Sequence, residues 1–302
     1  MNSFWIKSTR VLLEGKSEPA PAALEITEGR ISKIANVAGS PCVDFGAAVI
    51  LPGLVDTHAH INEPGRTEWE GFETATQAAA AGGITTVIDM PLNSIPATTT
   101  LAALNIKAET ARSKCRIDYG FWGGVVPGNS QELEPMVRAG AFGFKCFLCP
   151  SGVDEFPHVG EAELRVAMPI LKRLGVPLLV HAEIETPVEH ASVEAKNSRQ
   201  YQSFLESRPQ KWEVDAVALM IRLARETGCR THIVHLSASD ALRSIAEARA
   251  QGVPITAETC PHYLSFTAEE IADGATHFKC CPPIREASNR EKLWEALKRR
   301  DI

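Results

Sequence analysis

Short apolar runs alternate with helical patterns along most of the chain. Seven of these runs have the length and the β-branched or aromatic content of buried strands. They cover residues 47–55, 84–90, 119–122, 142–147, 176–181, 231–236 and 253–258. Intervening segments such as 161–174 and 213–227 have helical periodicity. Repeated β-α units of this kind predict parallel strands, either in an open doubly wound sheet or in a closed (β/α)8 barrel.

The first fifty residues have a different pattern. They contain short strand-like runs that are interrupted by turn residues, notably Glu28-Gly29 and the segment 39–41. We therefore expect two domains. Residues 1–50 would form the N-terminal part of a small β-sandwich lobe, and residues 51–302 would form an α/β barrel.

Side chains that can bind a metal follow four of the predicted strands. His58 and His60 end the first run, and side chains two apart on a strand point the same way. Lys145, His181 and His235 each fall at the end of a later run. A histidine pair alone is weak evidence, since histidines at a strand end are often hydrogen-bonded or solvated. A closed barrel brings all strand ends to one axis, whereas an open sheet places its site at one switch point, so four contributing strands favour the barrel.

Two other patterns point to structural roles. His232 lies three residues before His235, and this odd spacing on a strand predicts that it faces the surrounding helices. Cys146 and Cys149 have the spacing of a zinc or redox motif, but no second CxxC accompanies them. We therefore expect no cysteine-based zinc site.

Composition and charge exclude several classes of function. The formal net charge of −6 and the pI near 5.9 give no indication of binding to nucleic acid or to an anionic membrane surface. No run of 18 apolar residues is present, so no membrane span is expected. Several of the eight cysteines lie in apolar runs, which fits reduced thiols and predicts a cytoplasmic location.

The strand count is one short of a closed eight-stranded barrel. Ser288 to Glu291 has a capping-box pattern and predicts a helix that runs to about Arg300. The sequence then stops at Ile302, where an eighth strand is expected. We therefore expect a (β/α)8-type barrel that lacks its eighth strand, from a truncated protein, an incomplete gene model or a splice form.

The stretches that carry the candidate ligands together resemble the cyclic amidohydrolases of the amidohydrolase superfamily. This group includes dihydroorotase, hydantoinase/dihydropyrimidinase and allantoinase. The stretches are residues 55–60, 143–145, 180–183 and 234–237. Residues 62–71 and 89–94 resemble the allantoinase branch in particular. Asn62 occupies the position at which dihydroorotases usually carry an arginine, which argues against that branch.

The resemblance implies two Zn²⁺ ions per subunit. His58 and His60 would bind one ion, His181 and His235 would bind the other, and Lys145, carbamylated by CO₂, would bridge the two. The implied reaction is hydrolysis of a small ureide, allantoin, to allantoate in purine breakdown. A hydantoinase or dihydropyrimidinase is the alternative, and a catalytically inactive scaffold or fragment is the alternative from another class.

Further roles follow from the same resemblance. Asn93 and Arg66, just beyond the second and first strands, are candidates for ureide recognition, and a loop salt bridge is the alternative for Arg66. The family's catalytic aspartate follows strand eight, and Asp301 precedes that strand and is no substitute. We therefore assign no catalytic residue and expect little activity from residues 1–302 alone. Several family members are tetramers, so we expect a homo-oligomer.

Overall fold

The computed structural model describes residues 3–186 and 199–302. The chain divides into two compact units. One is formed by Met1–Val55 with Gly83–Thr86, and the other by Asp56–Gly82 with Val87–Ile302. We propose that the lobe and the barrel domain expected from the sequence correspond to these two units.

The first unit contains a small sheet. Its strands are β1 (Ser3–Val11), β2 (Ala20–Thr27), β3 (Arg30–Ala35), β4 (Cys42–Asp44) and β5 (Val49–Ile50). β1 pairs antiparallel with β2 and parallel with β4 and β5, and β2 pairs antiparallel with β3. Glu28 and Gly29 join β2 to β3, both with positive φ (52° and 75°). Two successive residues of positive φ suit a two-residue hairpin turn, so the break predicted here is a turn.

A second set of strands follows in chain order. It comprises β6 (Leu54–Ala59), β7 (Ile84–Asp89), β8 (Asp118–Phe121), β9 (Gly123–Gly124), β10 (Phe144–Phe147), β11 (Leu178–His181), β12 (Thr231–Ile233) and β13 (Ile255–Ala257). β8 covers most of the predicted strand 119–122, and β9 lies beyond it, after Trp122. Neighbours from β9 to β13 pair in parallel. The six predicted runs from residue 84 onward each contain a strand. The prediction of one buried strand over 47–55 is wrong, because Val49–Ile50 pairs with β1 in the small sheet and β6 begins only at Leu54, in an exposed position.

Hydrogen bonds join these strands in the order of a TIM barrel. Leu54 N donates to Gly83 O at 3.1 Å and Met90 N to Ala59 O at 2.8 Å, so β6 and β7 run in the same direction. Trp122 N donates to Asp89 O at 3.0 Å and continues the order beyond β7. A doubly wound sheet would reverse its strand order at a switch point. The barrel prediction is confirmed, and within the described ranges no strand follows β13.

The helices pack their apolar faces inward. They are α1 (Phe72–Ala81), α2 (Leu101–Ala111), α3 (Leu133–Arg138), α4 (Glu161–Leu174), α5 (Tyr201–Ser207), α6 (Gln210–Thr227), α7 (Leu242–Ala250), α8 (Pro261–Ser265) and α9 (Ala287–Arg299). The buried residues of α4 follow helical spacing: Leu164, Ala167, Met168 and Leu171. No helix in the described part of the chain is long and apolar enough to cross a membrane.

The start of α9 differs from the prediction. Glu286, in an extended conformation, is the N-cap residue. Its own side chain does not cap the helix, and the Glu269 carboxylate accepts a hydrogen bond from Ala287 N at 3.1 Å instead. Ser288 therefore lies inside the first turn and does not begin a capping box. The predicted end near Arg300 is correct, because Arg300 has a left-handed conformation that terminates the helix.

A buried ion pair ties α6 to the segment before α9. Glu213 accepts hydrogen bonds from Ser237 N at 2.8 Å, from Ala238 N at 3.0 Å and from Arg285 Nη2 at 2.6 Å. Both charged side chains are almost fully buried, at 1% and 2% exposure. The pair therefore holds the turn that follows β12, which is the turn that carries His235.

We expect Arg285→Met to destabilise the protein by about 3–5 kcal/mol, because it leaves the Glu213 carboxylate buried without its counter-ion. Urea unfolding followed by circular dichroism measures the change in unfolding free energy. Arg222→Met is the matched control, since Arg222 also forms a bidentate pair, with Glu161, but on the exposed surface. Equal effects of the two substitutions would contradict the expected role of the buried pair.

Candidate metal centre

The five predicted ligands converge at the C-terminal ends of four strands. His58 lies in β6, and His60 follows the end of that strand. Lys145 lies in β10, His181 is the last residue of β11, and His235 lies two residues beyond β12. The structure thus brings together every residue that the sequence proposed for the metal site.

The aromatic rings of this group lie close to one another. The ring centroids of His58 and His60 are 5.5 Å apart, and those of His58 and His235 are 5.4 Å apart. The rings of His181 and His235 are 4.6 Å apart. Phe147 stacks on His181 at 4.5 Å, and Lys145 Nζ lies 4.9 Å from the Phe147 centroid. Residues more than 170 positions apart in sequence, such as His58 and His235, therefore form one cluster.

A bend after β12 places His235 in this cluster. His235 has a φ of +41°, in a region that residues other than glycine rarely adopt. Hydrogen bonds hold the bend on both sides, since Val234 N donates to Val180 O at 3.2 Å and Leu236 N donates to Glu258 O at 2.7 Å. Such unusual backbone conformations persist where the surroundings fix them, often at functional sites.

The bend also explains why the prediction for His232 was wrong. Strand alternation does not extend from His232 to His235, because the strand ends at Ile233. Lys145 is in register with Leu179, and Leu179 with His232, so His232 is on the same face as Lys145. Its Nε2 lies 3.2 Å from Glu258 Oε2, beside the cluster and away from the helices.

Burial keeps the imidazoles neutral. Desolvation and the nearby positive charge of Lys145 lower the pKa of His60 well below its ordinary value. Desolvation, His181 and Lys145 do the same to His235. The pKa of His181 is also lowered, chiefly by burial, although its hydrogen bond to Glu183 opposes the shift. Neutral imidazole is the form that binds metals.

Lys145 is the most unusual member of the group. Its side chain is 1% exposed. Burial lowers its pKa to about 8, against the opposing effect of Glu258. An appreciable fraction of the amine is therefore uncharged near neutral pH, and an uncharged amine is a nucleophile.

The donor set fits a divalent cation that prefers nitrogen ligands. Nδ1 of His60 and Nδ1 of His235 are buried and have no hydrogen-bond partner among the described residues. A buried polar atom without a hydrogen-bond partner is energetically unfavourable. Neutral ring nitrogens of this kind are ligands that a divalent cation such as Zn²⁺ prefers. The assignment of each of the five residues as a ligand stays a prediction.

Two carboxylates that the sequence analysis did not single out hold two of the histidines. Glu258 accepts a hydrogen bond from Nδ1 of His58, and Glu183 Oε2 lies 2.7 Å from Nε2 of His181. Burial raises the pKa of Glu258, but hydrogen bonds from His232 and His58 outweigh this and hold it well below its ordinary value. Their position at or just after a strand end was the available signal, because metal-binding histidines commonly have such partners.

A second group of potential ligands lies beside His181. Donor atoms of Cys149, His181 and Glu183 lie within 4.8 Å of one another. However, Glu183 Oε2 already accepts from Arg208 Nη1 at 2.7 Å, and a guanidinium at this place repels a cation. Burial also raises the pKa of Cys149 to about 12, so its thiol stays protonated. We interpret this group as a hydrogen-bonded support for His181.

The two predicted substrate contacts lie on adjacent loops. Arg66 donates to Asn93 O at 2.8 Å and to the Glu155 carboxylate, and it stacks over Trp69 at 5.0 Å. Asn93 has a φ of +73°. Arg66 thus forms the loop salt bridge that was the alternative to ureide binding, and a substrate role for either residue stays a prediction.

The chain is similar to several proteins named allantoinase. The Streptomyces avermitilis allantoinase is 51% identical over 97% of this chain and 66% of its own length. The Saccharomyces cerevisiae protein is 50% identical over 91% of this chain and 58% of its own length, and the Arabidopsis thaliana protein is 48% identical over 86% and 54%. The chain therefore spans between about half and two thirds of the length of these curated relatives.

Solved structures with the same fold carry hydantoinase names. The L-hydantoinase of Arthrobacter aurescens matches with a TM-score of 0.91 and 30% identity, over 100% of this chain and 68% of that one. A dihydropyrimidinase from Brevibacillus agri matches with a TM-score of 0.85 and 29% identity, over 100% and 67%. The model of the amidohydrolase family matches residues 49–302. The chain belongs to the amidohydrolase family.

Proposed function

We propose that the protein is a metal-dependent cyclic amidohydrolase that opens the ring of allantoin to give allantoate. The observation that carries this proposal is the convergence of four imidazoles and one buried lysine at the strand ends of the barrel. About 50% identity to proteins named allantoinase favours allantoin over hydantoin or dihydrouracil as substrate.

In this proposal the cluster would hold two Zn²⁺ ions. His58 and His60 would hold one ion, and His181 and His235 would hold the other. Bound zinc supplies activation of water at neutral pH and polarisation of the amide carbonyl. Imidazoles that burial keeps neutral need not lose a proton before they bind.

Lys145 would join the two ions as a carbamate. The uncharged amine would add to the carbon of CO₂: a C–N bond forms, the electron pair of one C=O π bond moves to oxygen, and the nitrogen releases a proton to water. The product is an anion with two oxygen donors. The lowered pKa of Lys145 supports this step, because only the neutral amine can react.

The remaining roles fall to the loops beyond β6 and β7. Arg66 and Asn93 would orient the ureide groups of the substrate through hydrogen bonds. We assign no catalytic proton donor in the described part of the chain, since the family resemblance places that aspartate after an eighth strand. The scaffold alternative is weaker, because all five predicted ligands are present.

We also propose a cytoplasmic homo-oligomer, with a tetramer as the expected size. The described cysteines, which are unpaired thiols, support a reducing compartment. The oligomer rests on the family resemblance alone.

We expect the zinc-loaded full-length protein to hydrolyse allantoin in preference to hydantoin and dihydrouracil. The three cyclic amides differ in the ureide group outside the ring, which only allantoin presents. Ureide release at neutral pH measures the rate with each substrate. Preference for hydantoin would identify the alternative enzyme, and no turnover of any substrate with full metal content would favour the scaffold.

We expect His60→Ala to reduce the zinc content from two ions per chain to one or none, because it removes a nitrogen donor from one of the two sites. Elemental analysis after dialysis against excess zinc measures the content. His158→Ala is the control, since His158 is exposed and lies outside the proposed ligand set. Equal zinc content in both variants would overturn the proposed ligand set.

We expect Arg66→Ala to raise the KM for allantoin about tenfold or more, because a charged hydrogen-bond donor to the substrate is lost. Glu155→Gln breaks the same ion pair but keeps the guanidinium, so it should leave KM nearly unchanged. Steady-state kinetics of both variants decide the question. Equal increases in KM would show that the Arg66–Glu155 pair orders the loops and that Arg66 does not bind substrate.

A further inference from the structure

Glu258 contacts the side chains of two histidines, His58 and His232, which come from different strands. It follows β13 directly. One carboxylate oxygen accepts a hydrogen bond from His58 Nδ1, and the other lies 3.2 Å from His232 Nε2. The side chain thus bridges two rings that come from β6 and β12.

The backbone of Glu258 also forms two hydrogen bonds. Glu258 N donates to Ile233 O at 3.0 Å, and Glu258 O accepts from Leu236 N at 2.7 Å. These two bonds enclose the bend at which His235 has its positive φ. One residue therefore connects the ring of His58 with the turn that carries His235.

The contact also determines which nitrogen of His58 carries the proton. An ionised carboxylate can only accept hydrogen bonds, so His58 Nδ1 must donate. In a neutral imidazole the other nitrogen, Nε2, then has the free lone pair. The carboxylate therefore leaves Nε2 of His58 as the atom available to a ligand.

His232 completes the arrangement from the other side. Its Nδ1 lies 2.8 Å from Thr256 Oγ1, and its Nε2 faces Glu258. The threonine hydroxyl can donate to Nδ1, so that Nε2 carries the proton and donates to the carboxylate. Both Glu258 oxygens then accept a hydrogen bond, and the orientation of the carboxylate is fixed.

We propose that Glu258 is a positioning residue for the metal centre, which holds His58 as the Nδ1–H tautomer and aligns it with the bend at His235. The proposal rests on the proposed function in so far as His58 is a metal ligand. Glu258 does not contact the metal or the substrate in this role. It acts through His58 and through the backbone around His235.

The tautomer of His58 can be measured without metal and without activity. In protein labelled with ¹⁵N at histidine, long-range ¹H–¹⁵N correlation spectra distinguish the protonated ring nitrogen from the unprotonated one. We expect His58 in the metal-free protein to be a single Nδ1–H tautomer. In Glu258→Gln the amide can donate as well as accept, so we expect a mixture of the two tautomers.

Metal affinity provides the second readout. Loss of a carboxylate partner of a ligating histidine typically weakens metal binding by about 10- to 100-fold. We expect a loss of this size for Glu258→Gln in a competition titration of Zn²⁺ against a chromophoric chelator. Glu226→Gln is the matched control, because Glu226 is a glutamate on the exposed surface of α6 paired with Arg165.

Each outcome bears on the proposal. A His58 Nε2–H tautomer in the unmodified protein would overturn it, as would unchanged zinc affinity in folded Glu258→Gln. If Glu258→Gln fails to fold, the tautomer in the unmodified protein decides the question by itself. An Nδ1–H tautomer, together with a full-length protein that hydrolyses no cyclic amide, would refute the proposed function and leave the role of Glu258 supported.

Discussion

Desolvation of one group of nitrogen atoms is the constraint on which the site depends. Four histidines and a lysine would carry positive charge if they were placed close together in water at low pH. Burial at the strand ends of the barrel disfavours the charged forms of His60, Lys145 and His235 and makes the cluster possible. The same burial leaves Nδ1 of His60 and Nδ1 of His235 without hydrogen-bond partners. Buried polar atoms of this kind are unfavourable unless they are paired or bind a metal.

Three carboxylates hold the buried group of histidines in position. Glu183 and Glu258 contact ring nitrogens directly, and Glu213 holds the backbone after His235 through Ser237 and Ala238. Each carboxylate accepts hydrogen bonds from at least two donors, although Oε1 of Glu183 has no partner among the described residues. The precision of the centre therefore comes from residues that carry no predicted chemistry of their own.

Sequence patterns predicted the barrel and the convergence of the ligands because both depend on local periodicity. Strand runs and their polar ends are visible in one dimension, and parallel strand ends must share one face. The orientation of His232 was not predictable in this way, since the bend at His235 interrupts the alternation on which the argument relied. The predicted start of α9 was wrong for a different reason. Ser288 is a residue type that often caps helices, but here the helix begins at Ala287 and Ser288 lies inside its first turn.

The partners of the ligands were harder to predict because they are set by tertiary contacts. Glu258 is separated from His58 by 200 positions, and no spacing rule connects them. The Arg66–Glu155 pair likewise joins loops after β6 and β10. Such contacts depend on the angle at which each loop leaves its strand, which composition does not encode.

The hydrogen bond from His58 to Glu258 spans the first and the last strand in the barrel order. In the described ranges, β13 has a strand neighbour on one side only, β12. Local opening of β13 would move Glu258 away from His58 and disrupt the group of predicted ligands. Metal binding to the predicted ligands and local unfolding of β13 are therefore linked equilibria. A bound metal would make local unfolding of β13 less favourable.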